Sequence, residues 1–183
     1  MSPSSRILID KQRLDLILTR LCYQLIENHT NLHNVAIIGI QPRGSYLSDR
    51  IVKRLKELEP SLELNYGKID PTFYRDDFRT KEEPIIPSAT ELEFDIDNKH
   101  LILIDDVFYT GRTVRSALDA LHDFGRPSSV DLLVLINRRF SKELPIEPDY
   151  IGYRVDSIAS ERVTVEWEDI HGKDQVILFR ENI

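Results

Sequence analysis

The chain has one cysteine, Cys22, among 183 residues. That excludes an intrachain disulfide and a cysteine-built zinc site. No apolar run approaches the roughly 18 residues a membrane helix needs. The opening segment MSPSSRILID lacks the apolar stretch of a secretory signal. A reducing, cytoplasmic setting with no membrane partner is the expectation. An excess of positive charge is also missing. Lys plus Arg is 24 against 31 for Asp plus Glu, a net charge of −7. A globally basic nucleic-acid binder is therefore excluded, and any such surface must be a local patch. No GxxxxGK[ST], GxGxxG or HExxH string occurs, so nucleotide hydrolysis, hydride transfer and zinc proteolysis have no support. The five histidines show no metal-site spacing. Apolar residues make up 41% and charged residues 30%, an ordinary globular balance. The length predicts one domain over 1–183 with a sizeable core.

The order of elements is legible. Asp10 reads as an N-cap, and Leu14, Ile17, Leu18, Leu21, Cys22, Leu25 and Ile26 recur at helical spacing, predicting a helix over 11–28. Val35 to Ile40 reads as a buried strand and Gln41 to Gly44 as a loop. Leu47, Ile51, Leu55 and Leu58 space out a second helix, ended by Pro60, and a strand is expected over 62–69. Residues 70–99 carry Pro71, Pro84 and Pro87 without a period. So long an irregular stretch reads as functional or mobile, with room for a hairpin. A strand over 101–104, a helix over 112–124, a strand over 130–136 and a hairpin of 163–167 with 175–179 complete the reading. Alternating strands and helices predict an α/β fold, with a mainly parallel sheet covered by helices on both faces. Ligands of such folds sit at the carboxyl ends of the strands.

The chemistry concentrates in LILIDDVFYTGRTVRSAL, residues 101–118. Four apolar residues run into the adjacent carboxylates Asp105 and Asp106. The loop Tyr109-Thr110-Gly111-Arg112-Thr113 follows and opens a helix. A helix N-terminus with free backbone N–H groups favours a phosphate. Gly111 allows close approach, Thr110 and Thr113 bring hydroxyls, and Arg112 brings charge. The two carboxylates suit sugar hydroxyls or hydrated Mg²⁺. Anion donors beside hydroxyl acceptors describe a sugar phosphate.

Residues 101–113 resemble the signature of the type I phosphoribosyltransferases that binds phosphoribosyl pyrophosphate (PRPP). The wording Asp-Asp-Val-Phe-Tyr-Thr-Gly-Arg-Thr resembles the PyrR family, bifunctional pyrimidine operon attenuation regulators and uracil phosphoribosyltransferases. Leu18-Thr19-Arg20, Gly39 to Gly44, Tyr74 to Asp77, Gly125 to Ser129 and Glu143 to Ile146 extend it over about residues 6–182. The resemblance implies the type I phosphoribosyltransferase fold. It adds a flexible lid hairpin over about 70–99, and a small C-terminal hood over about 137–183 joined by the N-terminal segment.

It also implies roles. Asp105 and Asp106 face the ribose hydroxyls, directly or through Mg²⁺-bound water, so they are both the catalytic and the metal candidates. Val107 to Thr113 form the phosphate segment. Gln41, Pro42, Arg43 and Gly44 hold pyrophosphate, with Arg43 the third catalytic candidate, stabilising the departing group, and with Pro42 where the family usually has Thr. Tyr74 and Arg75 belong to the lid. Tyr109 stands where purine-salvage relatives have an Asp, which implies a pyrimidine, with uracil ahead of orotate. Asn137, Arg138 and Tyr153 to Val155 surround the base, with Asn137-Arg138 where the family shows Asp-Arg. The products are UMP and pyrophosphate, and the assembly is a homodimer or larger. On the RNA face of the family, Thr19 and Arg20 match, whereas Glu147 and Tyr153 replace an Arg and a Lys. A carboxylate there opposes phosphate binding, so an enzyme comes first and pyrimidine-operon leader RNA second.

Overall fold

The computed structural model describes residues 4–29, 34–75, 87–158 and 160–180. Five parallel strands form the central sheet: β2 (Val35–Ile40), β3 (Asn65–Ile69), β4 (His100–Phe108), β5 (Ser129–Arg138) and β6 (Tyr150–Val155). Their order is β3-β2-β4-β5-β6. The chain leaves β2 for β3 on one side and returns to β4 on the other. The strand order thus reverses between β2 and β4, and the crevice beyond their carboxyl ends is the place where such folds bind ligands.

Helices α1 (Lys11–Asn28) and α2 (Arg43–Leu58) cover one face, and α3 (Arg112–Leu121) covers the other. Leu14, Leu21 and Leu25 of α1 and Leu47, Ile51 and Leu55 of α2 pack on Ile37, Ile102, Ile104, Leu133 and Leu135. Val114, Ala117 and Leu121 of α3 pack on Ile38, Leu101, Leu103, Leu132 and Val134. A strand buried on both faces must be apolar throughout, and β2 is buried at all six positions. The α1 start follows from Asp10, whose side chain accepts the Arg13 N–H at 2.9 Å.

The hood is an antiparallel three-stranded sheet of β1 (Ser4–Ile9), β7 (Glu161–Glu166) and β8 (Gln175–Arg180), ordered β1-β8-β7. The turn between β7 and β8 carries the single-turn helix α4 (Glu168–His171). Trp167 is buried there, with the Arg50 guanidinium 4.2 Å from its ring centre.

Several expectations need correction. Strand β4 runs on through Asp105, Asp106, Val107 and Phe108, because Asp105, Val107 and Phe108 pair with Val134, Ile136 and Asn137 of β5. The hood does not begin at 137. Asn137 and Arg138 end β5, and residues 150–155 form β6, the edge strand of the central sheet. Helix α3 stops at Leu121, and Phe124 lies exposed beyond it. Strand β3 starts only at Asn65. Arg43 and Gly44 open α2 and are not loop residues. Of the expected lid, residues 76–86 lie outside the described residues. Its flanks are a 3-10 turn at Thr72–Tyr74 and a bridge from Lys68 to Glu91.

The core accounts for a sharp contrast along α1. Leu21 is fully buried and Leu16 is 64% exposed. Leu21→Ala should cost about 2–5 kcal/mol in denaturant unfolding, and Leu16→Ala within about 0.5 kcal/mol. Equal losses would contradict this packing.

Candidate active site

The site is built where β4 meets the first turn of α2. Asp105 and Asp106 are 7% and 5% exposed. Asp105 Oδ1 accepts the Asp106 N–H at 2.9 Å, and Asp106 Oδ1 accepts the Val107 N–H at 2.7 Å. Burial, and then the neighbouring Asp106 carboxylate, push the Asp105 carboxyl well above the usual carboxylate range. Burial raises Asp106 as well, and the Arg43 guanidinium opposes the shift at both. Arg43 is exposed at the start of α2. A buried acid pair facing a solvent-exposed cation is arranged to meet a polar ligand between them.

Gly44 makes that contact possible. A Cβ there would lie 2.4 Å from the Ile104 carbonyl oxygen, 3.0 Å from Asp105 Cα and 3.2 Å from Asp105 Oδ1. Two of those three atoms are backbone, so they cannot turn aside. Pro42 follows Gln41 through a cis peptide bond, and the Pro42 carbonyl accepts the Ser45 hydroxyl at 2.6 Å. Gln41 reaches the Ala89 carbonyl with Nε2 at 2.6 Å. These contacts tie the loop after β2 to the far end of residues 70–90.

The loop after β4 is the second wall. Gly111 has φ +91°, a left-handed conformation that glycine adopts without strain. It caps α3, whose first N–H groups face the crevice end of the sheet. Arg112 pairs with Glu143, with Nε and Nη2 each 2.8 Å from Oε2. The Glu143 N–H in turn donates to the Thr110 carbonyl at 3.1 Å. The loop is thereby held from outside, and an anion there would meet backbone N–H groups and the Thr110 and Thr113 hydroxyls rather than the Arg112 charge. Thr110 Oγ1 accepts the Arg112 N–H at 3.3 Å, and Arg75 Nη1 donates to Thr113 Oγ1 at 3.4 Å.

The remaining expected residues divide. Arg75 reaches the phosphate loop, but the Tyr74 hydroxyl bonds Asp123, beyond the other end of α3. Phe108 is core on the α3 side, and Val107 is half-buried. Val155 is buried, with its carbonyl accepting the Arg139 N–H at 3.0 Å. Arg138 is committed to the fold. Its Nε donates to Ser157 Oγ at 2.7 Å, and its Nη2 donates to the Ile158 and Glu161 carbonyls at 3.0 and 2.7 Å. Its guanidinium also sits 4.0 Å from the Tyr109 ring centre. Tyr109 itself is 38% exposed. A cavity of about 460 Å³ lies beside this pair, lined by Phe108, Asn137, Arg138, Phe140 and Ile151 among others.

Sequence reasoning missed Asp70. Its Oδ1 accepts the Thr72 N–H at 2.9 Å and the Thr72 hydroxyl at 2.5 Å, and its Oδ2 accepts the Ser88 N–H. One carboxylate thus joins both ends of the long connection. The Asp-Pro-Thr string after an apolar strand was the available signal, since Asp bonds the backbone two residues on. On the first helix, the Thr19 hydroxyl donates to the Asp15 carbonyl at 2.9 Å and accepts from Arg54. Arg20 Nη2 donates to the Gly152 carbonyl at 2.6 Å. Glu147 pairs with Lys142, and Arg13 covers the Tyr153 ring.

A crevice at the strand-order reversal, an acid pair on one wall and a helix N-terminus on the other define a phosphoribosyltransferase-type site. The profile of the phosphoribosyl transferase domain matches residues 5–169, and the chain belongs to that family. Its PyrR branch follows from full-length relatives. The chain is 42% identical over 173 residues to the Bifunctional protein PyrR of Limosilactobacillus fermentum, covering 93% of this chain and 96% of that protein. It is 40% identical over 180 residues to the protein of the same name from Listeria monocytogenes, covering 96% and 97%. Solved structures agree in fold. The hypoxanthine phosphoribosyltransferase of Trypanosoma cruzi superposes with a TM-score of 0.71 at 12% identity, over 97% of each chain. That of Staphylococcus aureus gives 0.69 at 19%, over 96% of this chain and 92% of that one.

Gly44→Ala should force α2 away from Asp105. Phosphoribosyl transfer should fall at least about tenfold, since small misplacements of reacting groups are costly. Far-ultraviolet circular dichroism should stay native. Unchanged turnover would show that the Gly44–Asp105 contact does not position the acids.

Proposed function

We propose that the chain transfers the phosphoribosyl group of PRPP to uracil, yielding UMP and pyrophosphate, with Mg²⁺ and in a cytoplasmic setting. The observation that carries this reading is the pairing of a buried acid pair with a helix N-terminus across one crevice. The α3 N-terminus takes the 5′-phosphate and Arg43 the pyrophosphate. Asp105 and Asp106 accept from the ribose hydroxyls or from metal-bound water. Their oxygen-only donor set fits a hard divalent cation, and positive charge nearby offsets the unfavourable burial of two carboxylates. Bound Mg²⁺ would supply charge neutralisation at the departing pyrophosphate.

Displacement at the anomeric carbon passes through an oxocarbenium-like state, as at glycosidic bonds. That state needs protection from water, which gives the segment joined at Asp70 a role in covering the site. The half-exposed ring of Tyr109, backed by Arg138, suits a flat pyrimidine. Tyr stays un-ionised at neutral pH and cannot replace the carboxylate that purine-salvage enzymes place there. The resemblance to the PyrR branch favours uracil over orotate and implies at least a homodimer.

Leader RNA of a pyrimidine operon is the second reading, supported by the relatives' name, Bifunctional protein PyrR. We put catalysis first because Thr19 and Arg20 are engaged within the fold and Glu147 brings a carboxylate to that face.

The test offers uracil, orotate, hypoxanthine and guanine in parallel with PRPP and Mg²⁺. UMP from uracil alone is expected, and Asp106→Asn should cut turnover at least about tenfold without unfolding. Product from a purine alone would overturn the reading of Tyr109. No product from any base, with leader RNA bound, would favour the regulator.

A further inference from the structure

We propose that His29, His100 and Asp131 bind a first-row divalent metal ion of the zinc class, at the end of the sheet opposite the crevice. No sequence spacing suggests it, because the three residues come from three elements. His29 caps the carboxyl end of α1, His100 begins β4, and Asp131 lies near the start of β5. One ligand atom from each lies within 4.8 Å of the others. Among the described residues, no other group of three such side chains meets that condition.

His100 presents a buried ring nitrogen to this cluster. Its Nε2 is fully buried and makes no hydrogen bond. It nevertheless stands 3.0 Å from Asp131 Oδ2, in a geometry that does not form one. A buried ring nitrogen normally has a partner, and a metal ion shared with Asp131 would give it one. Donor atoms about 2.0–2.1 Å from a tetrahedral zinc sit roughly 3.3 Å apart, so the His100–Asp131 spacing is already close. His29 Nε2 is 3.9 Å from Asp131 Oδ2. It closes the gap by a modest ring movement at a helix end.

The surroundings are those of a held ligand set. Ser129 Oγ lies 2.6 Å from His100 Nδ1. That contact fixes the ring and leaves Nε2 to the ion, the usual division of labour at a metal-bound imidazole. The Tyr150 hydroxyl is 3.1 Å from His29 Nε2 and accepts the Asn28 amide at 3.2 Å. Binding an ion through His29 Nε2 would exchange that hydroxyl contact for the metal. The His29, His100 and Asp131 side chains are 11%, 27% and 26% exposed, so an ion can enter. Two imidazoles and one carboxylate select zinc-class ions over Mg²⁺, which prefers oxygen. Once bound, the ion would link the end of α1 to the starts of β4 and β5.

The test uses the full chain after chelator treatment, with Zn²⁺ as titrant in calorimetry and Co²⁺ as an absorbance probe. Wild type should bind about one equivalent of Zn²⁺, unaffected by millimolar-range Mg²⁺, and show Co²⁺ d–d absorbance. His100→Gln and Asp131→Asn should each weaken Zn²⁺ binding at least about tenfold and lose the absorbance. Asp105→Asn/Asp106→Asn should keep both, separating this site from the crevice. Circular dichroism identifies folded variants, and if His100→Gln fails to fold, the near-isosteric Asp131→Asn decides. No Zn²⁺ uptake by wild type, or uptake unchanged in the folded variants, would overturn the proposal.

Discussion

The site rests on the burial of two adjacent carboxylates at the carboxyl end of a central parallel strand. Burial disfavours their charge, and the Asp106 carboxylate disfavours that of Asp105 further. The fold holds them there through β4, paired on both sides with parallel strands. The cost is tolerated because the surroundings are specific. Backbone N–H groups of Asp106 and Val107 donate to the acids, and Arg43 adds opposing charge. The glycine after Arg43 lets the helix start within contact of Asp105. Removing any one of these would leave a charge pair without compensation.

The same crevice must attract both cation and anion, and the elements keep those tasks apart. The acid pair lies on β4. The anion donors lie on the turn into α3, where Glu143 has already engaged Arg112. In the proposed reading, backbone dipoles, which cannot be neutralised by a side-chain partner, carry the phosphate affinity. Arg138 joins this arrangement to the hood. Its guanidinium backs Tyr109 and bonds carbonyls in the segment leading into β7. Movement of the hood would therefore be felt at the proposed base site.

Much of this was legible in the chain. The helix over 11–28 and the strand over 35–40 follow from period and β-branched content, because each buries a continuous face. The acid pair and phosphate loop were legible because they are contiguous. What was not legible depends on partners distant in sequence. Strand β6 carries polar residues among its apolar ones and is defined by pairing with β5, which sets Tyr153 and Val155 in the sheet opposite Ile136 and Arg138. Strand β1 exists only against β8. Arg138 reads as a substrate contact until its carbonyl partners are seen. Tyr74 reads as lid until its hydroxyl is found on Asp123.

Burial of the acid pair raises the folded-state pKa of both carboxyls, so ionising them costs stability. A carboxyl with a raised folded-state pKa binds its proton more tightly when folded. Folding stability is then full below the unfolded pKa and declines as pH rises through the folded one. Thermal melting of wild type and Asp105→Asn, each without Mg²⁺ and PRPP, measures this at about pH 5 and about pH 7.5. The account predicts that the variant melts higher than wild type near neutrality, with the gap narrowing on acidification. A variant that melts lower at both pH values would contradict it.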